Sequence, residues 1–310
     1  MVADPQAAAS GGRADFGVMS EAEAEDEQGA WAIGLAEWYA ANGRHDVPWR
    51  TAADPWAILV SEVMLQQTPV QRVLPRWQRF LDRWPTPAAC ADAAVDDVLR
   101  EWQGLGYPRR ALALHRSAAM IARDGWPTTE VALRALPGVG TYTARALLAF
   151  AFGHNDGGPP RDVNLQRVVA RAALGVEPHA ARPRVADQLL DEGRGTHMTM
   201  RDYAYALFDL GALVCTARAP RCATCPLAAR CASRARLDGT VPTPPPRRQP
   251  RFRGSVRELR GAVLRAYLSA EPPASTAELH ARIAAEHIDA DVARVAAARE
   301  ALIREGLLAG

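Results

Sequence analysis

Not one lysine occurs among the 310 residues, so all 37 basic side chains are arginine. Any mechanism that runs through a lysine Schiff base is excluded from the outset. Long apolar runs are missing too: none reaches the roughly 18 residues of a membrane span, and the N-terminal stretch lacks the apolar centre of a secretion signal. A soluble, cytoplasmic protein without a membrane partner is the expectation. Cysteine is sparse, five in all, and an odd count without an export signal argues against a disulfide scaffold. Period-two strand patterns of any length are also absent, which leaves helical periodicity as the organising signal and an all-α body.

What is present begins with charge. The formal net charge of +2 conceals an uneven distribution. Residues 1–27 carry seven acids and one arginine, so residues 28–310 hold 36 basic and 28 acidic side chains, a net of +8. The acidic stretch is rich in Ala, Gly and Glu without apolar periodicity and reads as a disordered tail. A basic body fits a polyanionic partner, although a solvated arginine surface has the same composition.

The body, residues 28–235, holds all eight tryptophans between positions 31 and 126, which places the largest aromatic core in its first half. Asp54-Pro55 starts a helix with an N-cap followed by proline in the first turn, and Thr68 with Gln71 reads as a capping box for the next helix. Helical patterns follow near 93–102, 108–123, 163–173, 183–191 and 201–214. Leu136-Pro137-Gly138-Val139-Gly140 separates a helix begun near Thr128 or Thr129 from one carrying Ala144, Leu147, Leu148 and Ala151. The unit reads helix, glycine hairpin, helix. Gly138 and Gly140 let backbone N–H groups at the start of the second helix approach an anion such as a DNA phosphate. An ordinary corner between two helices reads the same way. Residues 236–254 are a Pro- and Arg-rich linker containing PTPPPRRQPRFR, and 255–310 a small helical domain of three short patterns, in keeping with a truncated winged helix.

Three sets of residues carry chemistry. Cys215, Cys222, Cys225 and Cys231 lie within 17 residues, and four thiolates so close suit either one tetrahedral zinc or an iron–sulfur cluster. Cys90 stands apart and reads as core. Glu62 interrupts the apolar stretch AILVSEVML. A carboxylate there is desolvated and suits a general acid, or else it is satisfied structurally by an arginine or a helix end. Asp162 precedes a helix and reads as its N-cap, or as a second carboxylate. Two carboxylates converging on one pocket suit glycosidic chemistry, one donating a proton to the leaving group and the other stabilising an oxocarbenium-like centre.

Taken in order, VPWR at 47–50, SEVMLQQT at 61–68, WQGLGY at 102–107, LPGVGTYTA at 136–144, Asp162-x-Asn164 and the cysteine run resemble the helix-hairpin-helix DNA glycosylases, the superfamily of endonuclease III. Within it the sequence is most similar to the A/G-specific adenine DNA glycosylases of MutY type. The resemblance spans roughly residues 30–235. It implies a six-helix barrel lobe beside a lobe carrying a [4Fe–4S] cluster, with zinc as the alternative, and a base pocket between them. It implies that Glu62 protonates the departing adenine, that Asp162 stabilises or captures the sugar cation, and that Tyr142 and Asn164 line the site. Gln67, Thr68, Leu105 and Tyr107 would probe or wedge the duplex, Arg50 would contact the extruded base, and the hairpin glycines would meet the backbone. The implied partner is double-stranded DNA with a mismatched or oxidised base, bound by a nucleoid-associated monomer.

Tyr142 stands where bifunctional relatives of that superfamily have the Schiff-base lysine, so the abasic strand should stay uncut. A thymine-mismatch glycosylase looks similar and also carries tyrosine there; Glu62 within SEVMLQQT favours adenine. A catalytically silent, cluster-containing DNA-binding protein is the reading from another class, and the presence of Glu62, Asp162 and Tyr142 weighs against it. Three departures from the family pattern stand out. The C-terminal region is too short and too helical for the Nudix-like domain of typical members, His45 replaces a frequent arginine, and Ala204-Tyr205 replaces a polar pair.

Overall fold

A computed structural model describes residues 21–154, 158–178, 198–237 and 251–309. Helix α1, Glu21–Asn42, begins inside the expected tail. Alternating glutamate and alanine from residue 21 are good helix formers, and acids at a helix N-terminus complement its dipole. The rest of the expected tail, residues 1–20, lies outside the described residues, as do the helix expected near 183–191 and most of the linker.

Helices α2, Pro55–Leu65, and α3, Val70–Arg83, follow a short 3₁₀ turn at Pro48–Arg50. Asp54 caps α2 as expected, its carboxylate accepting from the N–H groups of Trp56 and Ala57. Every residue of α2 from Trp56 to Met64 is buried, the mark of a central helix that is apolar all round. Its indole nitrogens are satisfied: Trp56 Nε1 donates to the Trp84 carbonyl, and Trp77 Nε1 on α3 donates to the Ala57 carbonyl. Phe80 sits edge-on to both Trp84 and Trp102, so the aromatic core lies in the first half, as the tryptophan distribution predicts.

The capping box expected at Thr68 does not form. The N-cap of α3 is Pro69, without a side-chain cap bond, and the Thr68 hydroxyl is spent elsewhere: it donates to the Leu105 carbonyl and accepts from Arg110. A buried hydroxyl takes the partners within reach, and here those belong to another loop.

Helices α4, Pro87–Ala91, α5, Val95–Glu101, and α6, Arg109–Asp124, complete this half, α6 packing on both of the others. The glycine hairpin joins α7, Glu130–Leu133, to α8, Thr141–Leu147. Gly138 is required twice over. Its φ is +79°, and a Cβ there would lie 2.9 Å from Ala113 Cβ on α6. Gly140, with φ −93°, is the extended N-cap of α8 and leaves open space over the helix start. Helix α8 runs into a π-helical turn at Leu148–Phe152 that the 3.6-residue period did not reveal.

Helices α9, Val163–Ala172, and α10, Met200–Leu213, pack on each other, and α1 packs on α10. They touch so closely at Gly211 that a Cβ there would lie 2.7 Å from Asn164 Cβ. Three final helices, α11, Val256–Tyr267, α12, Thr276–Ala285, and α13, Val292–Arg304, pack together. They dock on the body: Arg100 Nε donates to the Leu268 carbonyl at 2.9 Å, and Glu305 pairs with both Arg109 and Arg260. No strand occurs among the described residues, so this unit shows three helices and no wing. No helix among them is long and apolar enough to cross a membrane.

Candidate active site and cysteine pocket

Glu62 lies on the buried central helix, where its flanking residues Ser61 and Val63 are buried too. Burial there pushes its carboxyl up to about 7; the Tyr142 hydroxyl, donating to it, works against that rise, and the nearby Asp162 charge adds to it. A carboxyl at that value is substantially protonated at neutral pH. Tyr142 is delivered by the first turn of α8, next to the hairpin, and burial together with the facing Glu62 raises its phenol well above the usual range. Hairpin geometry and acid are thus joined by one hydrogen bond.

Asp162 is both of the things its sequence context offered. It caps α9, accepting from the N–H groups of Asn164 at 2.9 Å and Leu165 at 2.7 Å. It also lies close enough to Glu62 for the two charges to be felt together. Burial raises its own carboxyl, while the backbone and Asn164 hydrogen bonds pull it back. Asn164 Nδ2 donates to the second carboxylate oxygen at 2.9 Å, and the Asn164 side-chain Oδ1 accepts from Arg167 at 2.8 Å. The whole Asp162 carboxylate is therefore fixed in orientation by α9 itself.

Arg50 does not present a free guanidinium. It forms a two-pronged pair with Asp209 on α10, at 2.5 and 2.7 Å, and its carbon lies 4.6 Å over the ring of Tyr205. Arg44 joins from the same loop, its backbone N–H and side chain both donating to Asp209. His45, by contrast, sits against Tyr39, its Nε2 2.8 Å from the Tyr39 carbonyl. Tyr205 stacks on Phe150 of the π turn with 4.4 Å between ring centroids, and it feels the Glu62 charge. Tyr205 was singled out in the sequence only as a departure from the family pattern, and Asp209 not at all, yet the signal that singled out Glu62 was there: Asp209 is the one charged residue in YAYALFDLGALV.

Of the four residues expected to meet a duplex, two are exposed and two are buried. Gln67 and Tyr107 are exposed, and each holds a left-handed backbone, φ +57° and +50°. Thr68 and Leu105 are buried instead, the threonine hydroxyl engaged in its inter-loop hydrogen bond and the leucine in the core. Gly138 and Gly140 are exposed at the hairpin, and the Gln66 side-chain amide donates to the Gly138 carbonyl.

The four clustered cysteines are free thiols lining a single pocket with Val214, Leu237 and neighbouring residues, about 300 Å³ of empty space counted with its solvent-open part. Burial pushes the Cys225 thiol up to about 11. Among the described residues no three His, Cys, Asp or Glu side chains are arranged to hold a metal ion. Two arginines of α9 tie this loop to the helix that Asp162 caps. Arg167 donates to the Cys215 carbonyl at 2.7 Å as well as to Asn164, and the fully buried Arg171 pairs with Glu177, donates to the Thr216 and Ala217 carbonyls, and approaches Cys215 Sγ at 3.8 Å. Cys90 is buried in the core, as expected.

Comparison with known proteins matches residues 60–187 to the HhH-GPD superfamily base excision DNA repair proteins. An adenine DNA glycosylase of Mycobacterium tuberculosis is 46% identical over 254 residues, 79% of this chain and 81% of that protein. A thymine/uracil-DNA glycosylase of Pyrobaculum aerophilum is 35% identical over 202 residues, 63% of this chain and 86% of that protein. In three dimensions, a thermostable thymine-DNA glycosylase aligns with a TM-score of 0.60 at 24% identity, over 68% of this chain and 98% of the other, and shows the common fold. The chain belongs to the HhH-GPD superfamily of base excision DNA repair proteins and, within it, to the adenine DNA glycosylase family.

Proposed function

We propose that this DNA glycosylase removes adenine paired with 8-oxoguanine or guanine, acting as a monomer on double-stranded DNA and leaving an uncut abasic strand. One observation carries the reading: a carboxyl held near 7 inside an apolar helix, hydrogen-bonded to Tyr142 and facing a second, oriented carboxylate. A base within the stack cannot reach such a buried group, so the adenine must be extruded into the pocket. Glu62 then gives its proton to a ring nitrogen of the base. The C1′–N bond breaks with its electron pair leaving on the neutralised adenine, and the sugar becomes an oxocarbenium-like cation. Asp162, ionised and fixed by Asn164 and the α9 N-terminus, stabilises that cation until water adds to C1′. Without any lysine, no amine takes the place of that water to form a Schiff base.

Gln67 and Tyr107 are the residues we assign to the duplex, and Gly138 and Gly140 to its backbone. Arg50 shapes the pocket wall with Asp209 and Tyr205, within reach of the extruded base. Residues 28–235 make up the catalytic unit, and residues 255–310 are a helical accessory joined by the 236–254 linker.

Cys215, Cys222, Cys225 and Cys231 fit a [4Fe–4S] cluster. Four thiols line one shared pocket, and arginine hydrogen bonds to the loop complement an anionic group. The group would supply a cross-link for the loop, with no part in the hydrolysis. Protein purified without oxygen should contain about four irons and four sulfides per chain; stoichiometric zinc without sulfide would replace this assignment with the tetrahedral one.

Single-turnover excision on duplexes with A opposite 8-oxoguanine, A opposite G and T opposite G tests the function. Release of adenine, with strand scission appearing only after alkali, is expected. Thymine release would move the protein to the thymine-mismatch enzymes, and scission without alkali would refute the monofunctional mechanism.

A further inference from the structure

The two exposed duplex-facing residues sit on separate loops, 66–68 between α2 and α3 and 104–107 ahead of α6. Two side chains join those loops: Thr68, whose hydroxyl donates to the Leu105 carbonyl, and Arg110, which reaches both. Arg110, in the first turn of α6, sends Nη1 to the carbonyls of Val63, Met64 and Gln66 at the end of α2. Its Nη2 donates to the Thr68 hydroxyl at 3.1 Å and to the carbonyls of Leu105 at 3.1 Å and Gly106 at 3.0 Å. The guanidinium lies 5.2 Å from the Tyr107 ring centroid and 5.6 Å from that of Trp102. Every acceptor is a neutral oxygen, and no carboxylate pairs with Arg110 among its hydrogen bonds. Desolvation accordingly lowers its proton affinity, to about 10.

An arginine taken from water to hold loop carbonyls, with no acid to offset it, is a costly device for mere stability. What it secures is relative position. Gln67 and Tyr107 both hold left-handed backbones, a conformation that needs support from its surroundings. Both loops close on the same planar fork, so neither tip can shift without the other.

We propose that Arg110 is a positioning residue for base extrusion: it locks the Gln67 and Tyr107 loops into one rigid wedge that enters the duplex as a unit. The proposal rests on the assignment of Gln67 and Tyr107 to the duplex. A misplacement of about 1 Å in such a pair is enough to cost on the order of 100-fold in rate. Lysine is no substitute, because one ammonium has three donors and no planar fork with which to span two loops.

The test uses the full chain, an A·G duplex with 2-aminopurine beside the adenine, and the variants Arg110→Lys, Arg110→Gln and Gln67→Ala/Tyr107→Ala. Stopped-flow 2-aminopurine fluorescence reads unstacking, single-turnover assays read excision, and circular dichroism confirms the fold. The expected result is that Arg110→Lys and Arg110→Gln, folded and binding undamaged duplex normally, lose about tenfold or more in the unstacking and excision rates. Placed in the Gln67→Ala/Tyr107→Ala background, the same changes should cost less than about twofold, since the groups they position are gone. Losses that multiply fully in that background would show that Arg110 acts on the fold at large and would overturn the proposal, as would wild-type unstacking by both Arg110 variants. If Gln67→Ala/Tyr107→Ala itself unstacks and excises like wild type, the duplex assignment fails first and takes the proposal with it.

Discussion

Replacing Glu62 with glutamine should lower single-turnover base excision by about 1,000-fold or more while leaving the protein folded and able to bind duplex DNA. Proton donation by a positioned acid contributes roughly 10²–10⁴-fold in rate, and Glu62 is the buried carboxyl pushed up to about 7 with the Tyr142 hydroxyl donating to it. Glutamine keeps the shape and an acceptor for the Tyr142 hydroxyl but has no proton to give. The pH dependence follows from the same carboxyl. Excision by the wild type should fall as pH rises through about 7, because the ionised form cannot protonate the base. Stability should move in the same direction. The folded-state pKa is above that of an unfolded glutamate, so the folded protein binds the extra proton and loses stability as pH rises from the usual carboxylate range through about 7. Glu62→Gln removes that loss and should unfold no more easily than wild type at pH 8. Urea titrations at pH 5 and pH 8, beside the excision rates, check both halves; undiminished excision would remove Glu62 from the chemistry.

Replacing Asp209 with alanine should destabilise the protein by about 3–5 kcal/mol, the range found when one member of a buried pair is deleted and a charge is left behind. Asp209 is fully buried, and Arg50, nearly so, faces it with both guanidinium nitrogens. Burial by itself would raise the Asp209 carboxyl; the Arg50 hydrogen bonds and the Arg44 N–H and charge outweigh it and hold the carboxyl below its ordinary value. The depressed value means that the stabilisation is complete at neutral pH and is lost only as pH falls through the acid range. Wild type and Asp209→Ala should therefore converge in acid. Arg44→Ala, at a side chain one third exposed, should cost only about 1 kcal/mol. Calorimetry at neutral pH separates the two variants, and a small effect of Asp209→Ala would mean that Arg50 finds another partner. The same variant should disturb the pocket, since Arg50 would lose its hold over the Tyr205 ring.

Local chemistry was the legible part of this sequence. Asp54, Thr129 and Asp162 cap the helices they precede, because a short polar side chain before an apolar run answers a need confined to a few residues. Glu62 and the cysteine run announced themselves by contrast with their neighbours. What could not be read was competition between distant partners. Thr68 looks like a cap and behaves as an inter-loop donor, because Leu105 and Arg110, some 40 residues on, reach it. Leu105, an apolar residue in a glycine-flanked loop, turns into the core instead of outward. The π turn at Leu148–Phe152 keeps an apolar composition indistinguishable from ordinary helix, and only its stack on Tyr205 shows what it positions. Arg110 is one arginine among 37, and nothing in its sequence surroundings tells it from a surface charge.

The docking of the last three helices on α5 and α6 fixes an order of events in the making of the molecule. The Arg100–Leu268 bond closes 168 residues of chain and the Arg109–Glu305 bond closes 196. Closing such long loops costs little free energy, about 0.6 kcal/mol per doubling of length, but it waits on the arrival of the distant end. At about 5–20 residues per second of synthesis, residues 256–310 follow the catalytic body by roughly 3–10 s. Residues up to 235 are therefore all made while Arg100 on α5 and Arg109 on α6 still wait for Leu268 and Glu305. A chain stopped short of α13 would lack Glu305 and leave Arg109 and Arg260 without that carboxylate.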